Sequence, residues 1–523
     1  MAETKREIER KYEATSRTRV PDLTRVPAVA EVVDQGVMEL DAVYYDTPDL
    51  RLAADAITLR RRTGGSDEGW HLKLPVASGI RDEIRAPLAD TLPGELAGLL
   101  RSRVRDGEVV PVVRLRSARD VRHLQAADGT LLAELSIDTV HAERLPGGAE
   151  AAWTEIEVEL ADDTEGTDGA GEALLDAIEK RLRKADIRPS SAPSKLSRAL
   201  KETSTDGDTA SGGALAPTGA SAPGGAPAPG TAGHAVLAYV REQAEAIVAL
   251  DPAVRRDLPD AVHQLRVACR RMRSAFKTYR KVLDRDVTDP VGAELKWLAG
   301  ELGVARDQEV LTERLRGRID ALPRTLRLGP VRGRLRTWSA ARARSGRRRV
   351  LAALDSARYL ALLDTLDELL ADPPLRKAAA RDARKVLARA VLKDHDRLTA
   401  RVGRARALDP GRDLDVALHE ARKAAKRARY AADAAAPTLG KPARRFAKRV
   451  KSVQSLLGEH QDAVVAREAL RELADQAHAA GETAFTWGLL HGREEAAAAA
   501  AEGELPDAWA RASAPEIRAA LTR

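Results

Sequence analysis

The N-terminal part of the chain alternates polar and apolar residues with a period of two. The pattern runs through Glu7-Ile8-Glu9-Arg10-Lys11, Ile57-Thr58-Leu59-Arg60-Arg61-Arg62, Trp70-His71-Leu72-Lys73-Leu74 and Pro111-Val112-Val113-Arg114-Leu115-Arg116. It returns over Leu132 to Val140 and over Glu155-Ile156-Glu157-Val158-Glu159-Leu160. Successive strand residues point to opposite faces, so each run predicts a strand with one charged and one apolar face. Gly64-Gly65, Asp128-Gly129 and Pro146-Gly147-Gly148 supply turns between several of them. Many short strands and few helices predict an antiparallel barrel. Helical patches are expected near Val26 to Gly36 and Gly169 to Ala185.

From about Gly207 to Gly233 the residues are Gly, Ala, Pro, Ser and Thr with almost no charge. Such a stretch buries too little to offset its ordering entropy and reads as a flexible linker. The expected division is residues 1–204, a linker over 205–233, and a second domain over 234–515. That second domain is rich in Ala, Leu, Arg, Glu and Lys, with breaks at Asp372-Pro373-Pro374 and Asp409-Pro410-Gly411, and predicts helices nearly throughout. It also repeats. His263-Gln264-Leu265-Arg266-Val267 and His419-Glu420-Ala421-Arg422-Lys423 each open a basic helix, and Leu302-Gly303 to Asp307 and Leu457-Gly458 to Asp462 follow at matching distances. Duplication of a helical bundle accounts for the constant spacing.

Composition sharpens this division. A chain of 523 residues exceeds one hydrophobic core. Lys and Arg outnumber Asp and Glu by 86 to 79, a net charge of +7 that points to an anionic partner without choosing among nucleic acid, membrane surface and phosphate polymer. A single cysteine, Cys269, excludes a disulfide within the chain. No stretch approaches the ~20 apolar residues of a membrane helix. A soluble cytoplasmic protein with no membrane partner is expected.

The charged strand faces carry the candidate chemistry. Glu7 and Glu9, then Glu155, Glu157 and Glu159, form acidic faces, whereas Arg60 with Arg62, Lys73, and Arg114 with Arg116 lie on others. An ordinary sheet with a wet polar face would show the same alternation. Carboxylates two apart on a strand are roughly 6.5–7 Å apart and repel by about 2.4 kcal/mol at an effective dielectric of about 20, against about 0.6 in water. Inside a closed barrel that repulsion calls for a cation, and oxygen-only ligands favour Mg²⁺ or Mn²⁺.

Glu7-Ile8-Glu9-Arg10-Lys11 resembles the ExExK signature of the CYTH domain, the triphosphate tunnel metalloenzymes. Further landmarks follow in that family's order: Tyr44 to Pro48, Leu59 to Arg62, Trp70 to Lys73, Arg81-Asp82-Glu83, Glu134 to Asp138, Glu155 to Glu159 and Ser194-Lys195. The resemblance implies an eight-stranded antiparallel tunnel that acts on triphosphates with a divalent metal. Carried over by position, it implies metal ligation by Glu7, Glu9, Asp138, Glu157 and Glu159. It implies catalytic phosphate contacts from Lys11, Arg60, Arg62, Lys73 and Arg116, with Arg114, Arg119 and Lys195 also binding triphosphate. Arg119 stands as the alternative to Arg116, because the strand register there is ambiguous. Glu83 is expected in the lumen beside Lys73, and His71 as a structural residue. The chemistry implied is hydrolysis by metal-activated water, with inorganic triphosphate the favoured substrate. An organic-triphosphate enzyme of the thiamine triphosphatase or adenylyl cyclase type, and a non-catalytic scaffold, remain alternatives.

In the second half, His263, Arg266, Arg270, Arg273 and Lys277 fall at i, i+3, i+7, i+10 and i+14, one side of a helix. His419, Arg422, Lys426 and Arg429 repeat the first four positions. A solvated basic face would normally mix in Glu for i,i+4 support. Neither stripe contains an acidic member, so an external polyanion is expected. These helices, with their Leu-Gly-x-x-x-Asp segments, resemble the CHAD domain over about residues 234–515, which implies an all-α duplicated four-helix bundle, inorganic polyphosphate as partner and association with polyphosphate granules. His460 has no counterpart in the first repeat. Stacking aromatics are scarce in the basic helices, so no specific nucleic-acid readout is expected.

Overall fold

The computed structural model describes residues 3–65, 67–161, 169–204 and 227–522. Residues 205–226 of the expected linker lie outside the described residues. The described residues fall into two compact units, within 1–221 and 222–523.

The first unit is a closed eight-stranded barrel of β1 (Glu3–Ala14), β2 (Glu31–Asp46), β3 (Thr58–Thr63), β4 (Gly69–Ala77), β5 (Ile80–Ala86), β6 (Val110–Gln125), β7 (Leu131–Arg144) and β8 (Glu150–Leu160). The spatial order is β1-β5-β4-β3-β2-β6-β7-β8, with β8 antiparallel to β1. The helix expected near Val26 to Gly36 is instead a 3-10 turn at Leu23–Arg25 followed by the start of β2. Val32, Val33 and Val37 favour the pleated surface, and Gly36, at φ +83°, takes up a register shift against β6. Helices α1 (Arg51–Ala54) and α2 (Gly94–Val104) precede β3 and β6, while α3 (Ala170–Lys184) and α4 (Lys195–Glu202) follow β8.

Apolar residues cover the outside of the barrel. Ile156, Val158 and Leu160 of β8 pack with Leu174, Leu175, Ile178 and Leu182 of α3, and Leu59, Leu72 and Ile84 pack with Leu96, Leu99 and Leu100 of α2. At one end the lumen itself becomes apolar. There Leu196, Ala199 and Leu200 of α4 pack on Ala42, Tyr44, Val113, Leu115, Val140 and Trp153.

The second unit is all-helical. Its described residues form two matching runs of five helices. The first is α5 (Ala232–Arg255), α6 (Ala261–Thr278), α7 (Arg285–Asp320), α8 (Val331–Leu354) and α9 (Ala357–Ala371). The second is α10 (Ala383–Arg406), α11 (Arg412–Leu439), α12 (Lys441–Ala479), α13 (Phe485–Ala512) and α14 (Pro515–Thr522). One large core joins residues from both runs. A smaller cluster, including Leu315, Trp338, Leu470 and Trp487, packs the far ends of α7 and α12 against α8 and α13.

Candidate functional site

Register and parity build the tunnel lumen. Cross-strand partners share a face, and the pairs Glu9↔Glu159, Lys11↔Glu157, Glu157↔Ser136, Glu155↔Asp138 and Asp138↔Arg119 carry one inward face around β1, β8, β7 and β6. The pairs Tyr44↔Arg60, Ala42↔Arg62, Arg60↔His71, Lys73↔Glu83 and Glu7↔Arg81 continue it around β2, β3, β4, β5 and back to β1. The acidic residues of β1, β7 and β8 and the Arg60, Arg62 and Lys73 wall therefore meet in one cavity.

On one side the carboxylates of Asp138, Glu155 and Glu157 converge, with one oxygen of each within 4.8 Å of the others. The Lys195 ammonium stands among them, 2.9 Å from Asp138, 2.8 Å from Glu155 and 2.6 Å from Glu157. Ser194 caps α4 by accepting from the Ser197 N–H, which sets Lys195 on the first turn facing inward. Arg119 donates to both Asp138 oxygens at 2.8 Å and to Glu157 at 2.9 Å. Lys11 bonds Glu157 and, at 3.0 Å, Glu9. Burial alone would raise Glu157, but the surrounding cations win: Lys11, Lys195 and Arg119 hold it well below the usual carboxylate range. Lys195 and Arg119 lower Asp138, and Lys11 lowers Glu9.

Across the lumen, Lys73 donates to Glu7 at 2.5 Å and lies 3.6 Å from Glu83. Arg60 lies 3.4 Å from Glu83, which is fully buried. Burial pushes the Glu7 carboxyl up, partly opposed by Lys73, while Lys73 and His71 more than offset burial at Glu83 and lower it. Arg62 bonds Asp67 at 2.5 Å. His71 is fixed between Glu83 and the Asp67 carbonyl, with its ring unavailable to a substrate.

Two expectations need correction. Arg116 and Arg114 point away from the lumen. Arg116 has a side chain 59% exposed near Glu143, and Arg114 is paired with Asp41 at 2.5 Å. Near α4 the inward face of β6 is the apolar one, Val113 and Leu115, so the charged face is outside. Arg119, farther along, is the β6 arginine in the lumen. Glu7 and Glu159 face inward but are held by Lys73 and Lys5, away from the converging carboxylates. Glu155 takes a place in that group that the sequence reading left unassigned, although its parity with Glu157 was visible.

In the helical unit the stripes of α6 and α11 are less bare than expected. Asp307 pairs with Arg266 at 2.9 Å and Asp462 lies 3.9 Å from Arg422, so the Leu-Gly-x-x-x-Asp segment of each repeat positions the stripe's first arginine. The glycine makes room: a Cβ on Gly303 would lie 3.1 Å from the Arg266 guanidinium, and one on Gly458 3.3 Å from that of Arg422. Asp433 lies 3.7 Å from Arg429. Burial lowers His263 and His419, and Gln461 holds the His419 ring at 2.5 Å. Burial, with Arg422 and Arg270, brings Lys426 down to about 7. The α6 stripe runs on into a cavity of about 400 Å³ lined by Arg273, Lys277, Arg280, Arg285, Lys296 and Arg427. Of the last four, Arg280 continues the stripe just past the end of α6, while Arg285 and Lys296 of α7 and Arg427 of α11 were missed because they come from other helices.

Family models match at both ends of the chain: the CYTH domain at residues 5–191 and the CHAD domain at residues 238–471. An uncharacterized protein of Mycobacterium tuberculosis is 39% identical over 512 residues, covering 93% of this chain and 92% of that one. The chain belongs to the family that joins a CYTH domain to a CHAD domain. Among solved structures, PptA from Streptomyces chartreusis is 25% identical, covers 53% of this chain and 99% of its own, and has a TM-score of 0.46. The CHAD domain from Ricinus communis is 27% identical over 56% of this chain and 93% of its own, with a TM-score of 0.39. The CYTH half thus supplies a carboxylate cluster able to take a divalent cation. The CHAD half supplies two cationic stripes related by duplication.

Proposed function

We propose that the CYTH half hydrolyses inorganic triphosphate, or a closely related triphosphate, with Mg²⁺ or Mn²⁺, and that the CHAD half binds inorganic polyphosphate. The observation that carries the reading is the convergence of Asp138, Glu155 and Glu157 opposite inward-facing Arg60, Arg62 and Lys73. An all-carboxylate donor set fits a hard divalent cation, which supplies charge neutralisation and an activated water when bound. Asp138, Glu155 and Glu157 would hold it, exchanging the Lys195 ammonium. Lys195, Lys11 and Arg119, which pair with these acids, would contact the phosphate oxygens and stabilise charge that grows during attack. Arg60, Arg62 and Lys73 hold the other end of the chain in line.

The preference for an inorganic substrate rests on the aromatic residues. Tyr44 and Trp153 are the large aromatics on the inward face, and α4 covers both. Arg198 lies 5.0 Å over the Trp153 ring, and Trp70 is on the outside, packed on Tyr45. Among the described residues no open aromatic face is offered to a base or thiazolium ring.

The test is phosphate release from inorganic triphosphate with Mg²⁺ or Mn²⁺, comparing the parent with Glu155→Gln plus Glu157→Gln. Metal-dependent release lost in the double variant supports the reading. No release from the parent, with labelled polyphosphate still bound, overturns the inorganic-triphosphatase assignment.

A further inference from the structure

The duplication of the helical unit provides an internal control, and at one place the two copies diverge in chemistry. Position 460 corresponds to 305 through the shared Leu-Gly segments, and 415 corresponds to 259 through the shared histidines. The first copy has Pro259 and Ala305, and Ala305 packs so closely on Gly346 of α8 that a Cβ there would lie 3.1 Å from the Ala305 Cβ. The second copy has Asp415 on α11, His460 on α12 and, packed against it from α13, Glu502. Two residues with no metal-binding side chain stand where the second copy has Asp415 and His460.

The two donor separations at His460 match those of a coordination sphere. His460, 2% exposed, points Nε2 at Asp415 Oδ1 at 3.3 Å and at Glu502 Oε1 at 3.0 Å, and all three ligand atoms lie within 4.8 Å of one another. Metal–ligand bonds of roughly 2.1 Å place neighbouring donors about 3.0 Å apart at right angles and about 3.4 Å apart in a tetrahedron. A single Nε2–H cannot serve two carboxylates fully, whereas one cation satisfies all three donors. The second oxygen of Asp415 is held at 3.3 Å by Arg467, an outer partner that orients the carboxylate.

We infer that the second copy of the helical repeat binds a first-row divalent cation of the zinc class through His460, Asp415 and Glu502. An imidazole with two carboxylates suits Zn²⁺, while the all-oxygen cluster of the tunnel suits Mg²⁺ or Mn²⁺. The protein thus sorts two metals by donor type. The cation pins α11, α12 and α13 together where the first copy relies on close backbone packing.

The test uses the full chain stripped of metal and carrying Glu155→Gln and Glu157→Gln, so that the tunnel cluster is silent. Equilibrium dialysis against Zn²⁺ is compared with the same chain carrying His460→Gln and Glu502→Gln. The expected result is the loss of one bound equivalent, and an X-ray absorption spectrum of the parent showing an imidazole ligand. Should that variant fail to fold, Asp415→Asn, in the first turn of α11, is expected to weaken Zn²⁺ at least tenfold. Equal stoichiometry and affinity across these chains, or an oxygen-only ligand shell, overturns the assignment and leaves His460 as a hydrogen-bonding partner of the two acids.

Discussion

Lys426 gives the most quantitative handle on polyanion binding. Burial is the main cause of its depressed pKa of about 7, and Arg422, Arg270 and Arg266 add to it against Asp462. An ordinary lysine titrates near 10.4. A polyphosphate laid along the stripes favours the ammonium and moves it back toward that value. At pH 8.5 the free protein holds only about 3% of Lys426 charged, so binding there should take up nearly one proton. Affinity should fall as pH rises from about 7 to about 10. The full span is about 3 units, or about 4 kcal/mol as an upper limit that solvent access reduces. Folding responds with the opposite sign: between the two pKa values the unfolded chain binds more protons, so stability rises with pH. Calorimetric titration with polyphosphate in two buffers of different ionisation enthalpy reads the proton count. Lys426→Arg, charged throughout, should bind with about one proton less uptake and a flatter pH profile. Equal uptake by parent and variant at pH 8.5 would refute the reasoning.

Arg119→Ala should cut triphosphate turnover by roughly 10²–10³-fold, as for loss of one oriented donor, whereas Arg116→Ala should leave it near the parent rate; steady-state phosphate release separates them. Gly303→Ala and Gly458→Ala should each displace a stripe arginine and weaken polyphosphate binding several-fold, while helix propensity alone adds up to about 1 kcal/mol of stability; a binding titration beside thermal unfolding shows the split. The buried Asp46 carboxylate accepts the N–H groups of Thr47 at 2.7 Å and of Leu52 and Ala53 at 2.9 Å. Asp46→Ala should therefore cost roughly 2–4 kcal/mol in urea unfolding of the full chain.

Strand parity made much of the tunnel legible, because Glu7, Glu9, Glu157, Arg60 and Lys73 sit on clean alternations whose apolar partners pack outside. The same rule misled on β6. It assumes one polar lumen, yet the lumen turns apolar where α4 enters, and the sense of in and out for Arg114 and Arg116 reverses with it. Local pattern cannot report which helix closes a barrel's end. The expected helix near Val26 failed for a related reason: β2 pairs along its length with distant β6, and that pairing decided its conformation. In the helical unit the stripes were visible by period. Asp307 and Asp462 were hidden as partners because they arrive from the next helix, whereas Asp433, at i+4 from Arg429 on the same helix, was visible by period.

The ion pairs of the tunnel bear on the order in which ligands can enter. Lys73, Arg60, Arg62, Arg119, Lys11 and Lys195 each already hold a carboxylate. A phosphate chain arriving alone would take these cations only by stranding buried acids, and a divalent cation arriving alone would strand buried ammonium and guanidinium groups. Each ligand relieves the charge left by the other. Their affinities should therefore be reciprocally coupled, with neither ligand binding tightly alone.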